Sequence, residues 1–308
     1  MGMWLAYAFL SAALLGCYDV FKKQALRRHD VVPVLFLNTF FCSLIFLIPV
    51  VLSAFGRLPE GHLLYVPAAG WDVQKYVILK SCIVLSSWFF GYLGMKNLPL
   101  TIVGPINATR PMMVLLGALL FFGERLNLWQ WAGVLLSILG FFLLSRSGRK
   151  EGIDFRHNRW IVCVVVAAVL GALSGLYDKY LMASPEAGGV GLNRMVVQSY
   201  YNFYQCGMMG MFCLCGGSWN RLLPALRGGG AYILLVSVFL SLADFAYFYS
   251  LSLDGALVSV VSMVRRSSVI VSFLVGAYFF HEHNLRSKAF DLVLLLLAML
   301  CLWIGSDM

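Results

Sequence analysis

Apolar and polar positions along this chain fall into long blocks, not into the two-residue alternation of half-buried strands. Ten mostly apolar runs recur, approximately at 4–21, 31–54, 76–95, 100–123, 128–145, 160–181, 195–216, 231–251, 255–280 and 289–305. About 20 such residues in a helix cross a hydrocarbon core of roughly 30 Å, and a helix satisfies its own backbone hydrogen bonds in lipid. The blocks predict ten transmembrane helices. Between the fifth and sixth lies Arg146-Ser147-Gly148-Arg149-Lys150-Glu151-Gly152-Ile153-Asp154-Phe155-Arg156, the most polar segment in the chain. It divides the sequence into 1–146, a basic linker at 147–159, and 160–308.

The two parts read as copies. Gly16-Cys17-Tyr18-Asp19 recurs as Gly175-Leu176-Tyr177-Asp178, Asn38 and Cys42 as Asn202 and Cys206, and Phe121-Phe122-Gly123-Glu124 as Phe279-Phe280-His281-Glu282. The matches keep their order, and their offsets differ by no more than a loop insertion would allow. An odd number of helices per copy turns the second copy over relative to the first, so the expected fold is all-α, ten helices in two inverted five-helix repeats. That is a transporter architecture.

Composition agrees with a membrane setting. Hydrophobic residues make up 61% of the 308 and charged residues 12%, with a net charge of +9. A soluble enzyme domain does not carry that balance, and the scattered Lys and Arg lack the continuous patch of a nucleic-acid binder. Met1-Gly2-Met3 supplies no basic region ahead of the first apolar run, so residues 4–21 read as a retained helix, not a cleaved leader. The eight cysteines lie mostly inside apolar runs without disulfide or metal spacing. No cofactor is expected.

Gly123-Glu124-Arg125-Leu126, followed by Trp129-Gln130-Trp131-Ala132-Gly133 and Gly140 and preceded by Pro111, resembles the signature that closes the repeat of EamA-type members of the drug/metabolite transporter superfamily. Glu282 takes the matching place in the second half, and Lys23, seven residues after Gly16, resembles the lysine that ends the family's first helix. The resemblance implies two EamA-like repeats, secondary transport of a small-molecule substrate through the lipid bilayer of the cell (inner or plasma) membrane, and both termini in the cytoplasm. Loop charge points the other way. The loops after helices 1, 3, 5, 7 and 9 carry four, one, five, two and two basic residues, fourteen of the 23, which by the positive-inside rule puts both termini outside.

An ionisable side chain at bilayer depth is costly and marks function or pairing. Arg110 is about 15 Å into the fourth predicted helix, at the midplane. Arg265 and Arg266 hold similar depth in the ninth, and Asp244 lies deep in the eighth. Three arginines against one deep aspartate leave positive charge for a ligand to neutralise, and guanidinium forks match carboxylate or phosphate. Arg110 and Arg266 are therefore candidate substrate anchors, with Asn107 one turn away as an orienting group; Arg265 with Asp244 is the preferred structural pair, Asp244 serving as partner or as proton-linked acid. The competing reading pairs one arginine with Asp244 while the others bond helix carbonyls or snorkel. Ser259 and Ser262 share a helix face with Arg266, which suits a cavity wall or ordinary helix-to-helix hydrogen bonding. Asp19 and Asp178 are candidate proton-coupling groups, with protons as the coupling ion, although Asp19 stands at ion-pair spacing from Lys22 and Lys23, which favours an interfacial pair. Glu124 and Glu282 read as turn residues at the bilayer edge.

Aromatic residues cluster in the third helix at Trp88, Phe89, Phe90 and Tyr92 and in the eighth at Phe245, Tyr247, Phe248 and Tyr249. In the seventh, Tyr200, Tyr201, Asn202, Tyr204 and Gln205 bring polar tips that need partners or water, and with Asn38 they are candidates to line the same cavity. A membrane enzyme would need a nucleophile, base or metal set, and the five histidines all fall in loops. His281 and His283, two residues apart, point away from each other on a helix. A scaffold or sensor would usually add a soluble domain, and the longest loops are about 20 residues. The function expected is secondary transport of a small carboxylated or otherwise anionic metabolite such as an amino acid. A multi-pass enzyme, or a scaffold whose intramembrane ion pairs are structural, is the alternative.

Overall fold

The computed structural model describes the chain apart from residues 1–2, 123–126, 150–156, 183–184, 186–187, 254–260, 262–263, 280–284 and 307–308. The linker core, Ser259, Ser262, Glu124, Glu282, His281 and His283 lie outside the described residues. All regular structure among the described residues is helical: α1 Met3–Leu26, α2 Val31–Ala54, α3 Trp71–Asn97, α4 Leu100–Ala108, α5 Arg110–Phe122, α6 Leu128–Arg149, α7 Arg159–Met182, α8 Arg194–Cys215, α9 Leu222–Leu251, α10 Ser268–Phe279 and α11 Leu285–Ser306. Among the described residues, five segments are long and apolar enough to cross a membrane: α1, α2, α3, α7 and Trp219–Leu251. The outer faces remain apolar, with Phe9, Ile48, Leu135, Val162, Leu214 and Leu274 exposed, as a bilayer requires and water forbids.

The helices pack across the two parts of the chain. α1 lies on α9, α3 on α7, α2 on α8, α4 on α10 and α6 on α11, while α1 also touches α10 and α5 touches α7. In lipid no hydrophobic force draws helices together, so close backbone approach and interhelical hydrogen bonds must do it. Gly94 shows the first device: a Cβ there would sit 2.1 Å from Val164 Cγ2. Ser11 Oγ shows the second, donating to Ala243 O at 2.7 Å, as Ser87 Oγ does to Ala167 O at 2.8 Å.

Two of the predicted crossings are interrupted. The fourth is broken at Thr109, which separates α4 from α5 two residues before Pro111. The ninth is broken at Ser267, between a helical stretch at 264–266 and α10. Each break is built alike: Thr109 donates its N–H to Ile106 O at 3.2 Å and its hydroxyl to the same atom at 2.7 Å, and Ser267 does so to Val264 O at 3.0 and 2.7 Å. Thr109 and Ser267 are 158 residues apart, the offset that separates Glu124 from Glu282 in the sequence. Only the first break has a proline beside it, so proline is not the shared cause. The common element is a hydroxyl residue that satisfies a tightened turn from its own side chain.

On one face of the bundle, Asp30 in the α1–α2 loop receives Lys96 from α3 at 2.9 Å and Arg221 at 2.8 Å from the turn before α9. The two cations, Lys96 first, hold its carboxyl below the usual carboxylate range. Lys23 Nζ meets the exposed carbonyls at the end of α3, donating to Met95 O at 2.7 Å and Leu98 O at 2.5 Å.

Candidate functional site

A cavity of about 160 Å³ opens at the centre of the bundle, between α1, α3, α4, α5, α7, α9 and the segment around Arg265. That is space for a small ligand or several waters. Eight ionisable side chains reach its wall: Asp19, Lys22, Lys80, Arg110, Asp178, Asp244, Arg265 and Arg266. Five are cations and three are acids, and the pairing among them decides what the cavity can hold.

Each acid already holds a cation. Lys22 Nζ donates to Asp19 Oδ1 at 2.7 Å from the next turn of α1, and Ser272 Oγ donates to the other oxygen at 3.3 Å. Lys80 of α3 pairs with Asp178 of α7, buried on both sides. Arg265 pairs with Asp244 of α9, and the hydroxyl of Tyr201 donates to the free oxygen of Asp244 at 2.6 Å. Aromatic faces flank the same cations. Lys22 lies 4.2 Å from the ring centre of Tyr18 and 5.3 Å from that of Tyr92, Lys80 lies 5.5 Å from Tyr201 and 5.4 Å from Phe248, and Arg265 stands 4.3 Å over Tyr247. A ring quadrupole beside a desolvated cation adds to the attraction of its carboxylate.

Two arginines remain. Arg110, the first residue of α5, donates Nη2 to Ala167 O at 3.3 Å, and its Nε is buried with no partner. Room for the guanidinium comes from Gly171 on α7, where a Cβ would lie 2.6 Å from Cζ and Nη1. Arg266 has no hydrogen bond or ion pair among the described residues; Arg110 and Arg265 repel it and Asp19 attracts it through space. Asn107, one turn before Arg110, presents a buried Oδ1 that also lacks a partner. Unmatched guanidinium and amide groups facing a cavity are donors and acceptors held ready for a ligand.

Most of the residues singled out from the sequence meet here: Arg110, Asn107, Arg265, Arg266, Asp244, Asp178, Asp19, Tyr201 and Trp88 all line the cavity. Others do not. Asn202 points its amide back along α8, donating to Gln198 O at 2.8 Å, and Asn38 accepts from Ser237 Oγ at 3.0 Å in the α2–α9 contact. Both lie in helix contacts away from the cavity wall, although Asn38 Nδ2 is buried there without a partner among the described residues. The Asp19–Lys22 pair also lines the cavity, with α1 running on beyond it to Leu26, while Lys23 turns to the end of α3. At the 158-residue offset, the position matching Arg110 is Ser268 and not Arg266.

Lys80 is the wall residue that hydropathy alone does not reveal. With α3 starting at Trp71, it is about 14 Å into the helix. The apolar run begins only at residue 76, and a helix start there puts the lysine in the first turn, where it is ordinary. The depth criterion that picks out Arg110 finds Lys80 too, given the right boundary.

Residues 2–146 match the model of the EamA-like transporter family. A curated Sinorhizobium protein named an uncharacterized transporter in the cobO 3′ region is 28% identical to this chain over 148 residues, which make up 46% of this chain and 96% of that relative. A solved crystal structure superposes with a TM-score of 0.63, covering 97% of each chain at 14% identity, so the whole length shares a known fold. The chain is a multi-pass membrane protein, and its residues 2–146 match the EamA-like transporter family.

Proposed function

We propose that this protein is a secondary transporter that moves a small carboxylated or otherwise anionic metabolite across the cell membrane by alternating access around the central cavity. Ten crossings in two inverted repeats, 1–146 and 160–308, fit the helix contacts. Exchanging the two parts of the chain turns the α1–α9 contact into α7–α3 and the α1–α10 contact into α7–α5, and returns α2–α8 and α6–α11 to themselves. Sites in such folds lie near the midplane, where discontinuous helices meet.

One observation carries the substrate charge: Arg110 and Arg266 face the cavity without an acid, while Asp19, Asp178 and Asp244 each hold a cation. A buried cation with no counter-charge is stable only if something supplies one. In this reading Arg110 and Arg266 anchor the substrate, Asn107 orients it, and Trp88 packs on its apolar part. The three acids set the charge of the wall.

The test is a thermal-shift screen of detergent-purified protein against anionic, zwitterionic and cationic metabolites, with Arg110→Ala and Arg266→Ala alongside. A ligand at 100 times its Kd stabilises by about 2.7 kcal/mol. The expected result is stabilisation of the wild type by anionic compounds and of neither variant, with both variants still melting cooperatively. Equal stabilisation of the variants, or a response to cations alone, would overturn the assignment and leave the arginines as structural groups.

A further inference from the structure

We infer that the cavity selects a small dianion that lacks an ammonium group, a dicarboxylate or a phosphate monoester, over zwitterionic amino acids and monocarboxylates. The inference rests on the reading of the cavity as a transport site and narrows it. Five cations and three acids leave two positive charges facing the cavity, those of Arg110, whose Nε has no partner, and Arg266, which has no hydrogen bond or ion pair among the described residues. A monoanion would match one and strand the other. A ligand with two negative charges matches both, and each guanidinium can meet a carboxylate or phosphate in fork geometry.

The amino group of a zwitterion finds no free carboxylate in the wall, only the neutral Trp88 ring and Asn107 Oδ1. Its natural receptors would be a carboxylate or the face of an aromatic ring. All three carboxylates are taken, Asp244 twice over, by Arg265 and by the Tyr201 hydroxyl at 2.6 Å. The rings beside them are taken as well: Tyr18 and Tyr92 by Lys22, Tyr201 and Phe248 by Lys80, and Tyr247 by Arg265. An incoming ammonium would have to displace a buried cation from its partner and would add a third positive charge to the two that stand unmatched.

The experiment uses the full chain in liposomes and measures uptake of labelled succinate and labelled glycerol 3-phosphate, with lactate, glutamine and phenylalanine as competitors and as labelled substrates. The expected result is that at least one dianion is taken up and that it competes at concentrations at least tenfold below any monocarboxylate or zwitterion. Which dianion is preferred tells carboxylate from phosphate. Arg266→Gln should lower the dianion-to-monoanion preference about tenfold, a change that a purely structural role would not produce. A wild-type measurement covers the case in which that variant fails to fold. The second ionisation of a phosphate monoester lies near pH 6, so uptake of glycerol 3-phosphate at low concentration should fall about tenfold between pH 7.5 and pH 5, while binding of 1,2-ethanedisulfonate, which has no proton to gain, should hold. Uptake of glutamine or lactate at equal or lower concentration than either dianion overturns the inference and leaves the transporter reading standing. Uptake of none of these compounds by cooperatively folded protein removes both.

Discussion

Arg110 keeps its place because Gly171 leaves the surface of α7 bare beneath the guanidinium. Adding one methyl group there is a controlled way to move the arginine without deleting it. Gly171→Ala raises helix propensity by about 1 kcal/mol, yet its Cβ occupies the space of Cζ and Nη1. We expect ligand affinity to fall at least tenfold while the melting temperature of the unliganded protein changes little, a split read by ligand titration beside a thermal melt. Unchanged affinity would show that Arg110 has another resting place and does not anchor the ligand where it now lies. Depth along a helix was readable from the sequence at Arg110, Arg265, Arg266 and Asp244, since it needs only a helix start and a rise per residue. Direction around the helix was not. Tyr201 and Asn202 are neighbours in a polar run, and a turn of 100° sends one to the cavity and the other to the backbone of α8.

At the scale of elements, hydropathy located apolar runs because apolar length is dictated by bilayer thickness, but it began the third at residue 76 where α3 begins at Trp71. It could not say which helices touch, since lipid and helix interior are alike apolar. The α3–α7 contact is the clearest case, with Gly94 letting the backbones approach and Lys80 and Asp178 pairing across it. Removing one partner of a buried pair strands the other and costs about 3–5 kcal/mol, whereas replacing both by apolar groups is often near neutral. Lys80→Met should therefore lower the unfolding free energy by about that amount, and Lys80→Met with Asp178→Leu should recover most of it, as read from thermal unfolding in detergent. A double variant no more stable than the single one would mean that the pair is held by the cavity charges around it and not by mutual attraction alone. The helix breaks were half legible. Pro111, which disfavours helix in the residue before it, stands two residues after the one at Thr109, but nothing short of the repeat offset points to Ser267.

Across the whole molecule, Asp30 ties the α1–α2 loop to the end of α3 and to the turn before α9. It lies outside the membrane-spanning segments and so titrates against solvent. Lys96 and Arg221 depress its pKa, so the clasp stabilises the folded chain above the ordinary carboxylate value of about 3.9 and loses that contribution as the pH falls through the lowered folded value. The group is about half exposed, which limits the effect to about 0.5–1 kcal/mol after solvent screening. Asp30→Asn should melt slightly below wild type at pH 7, and the gap should narrow as the pH falls below about 3.9. A gap that does not narrow as the pH is lowered would assign the effect to packing. The mid-depth breaks have a mechanical consequence on the same scale. α5, with 13 residues, is an arm of about 20 Å, and α4, with 9, one of about 14 Å. With Thr109 as fulcrum, a 10° swing of α5 carries its tip by about 3 Å, and Ser267 gives α10 a fulcrum of the same build. Arg110 follows the first pivot by one residue and Arg266 precedes the second by one, so a ligand that pulls on either guanidinium pulls at the short end of a lever whose long end is the rim of the bundle.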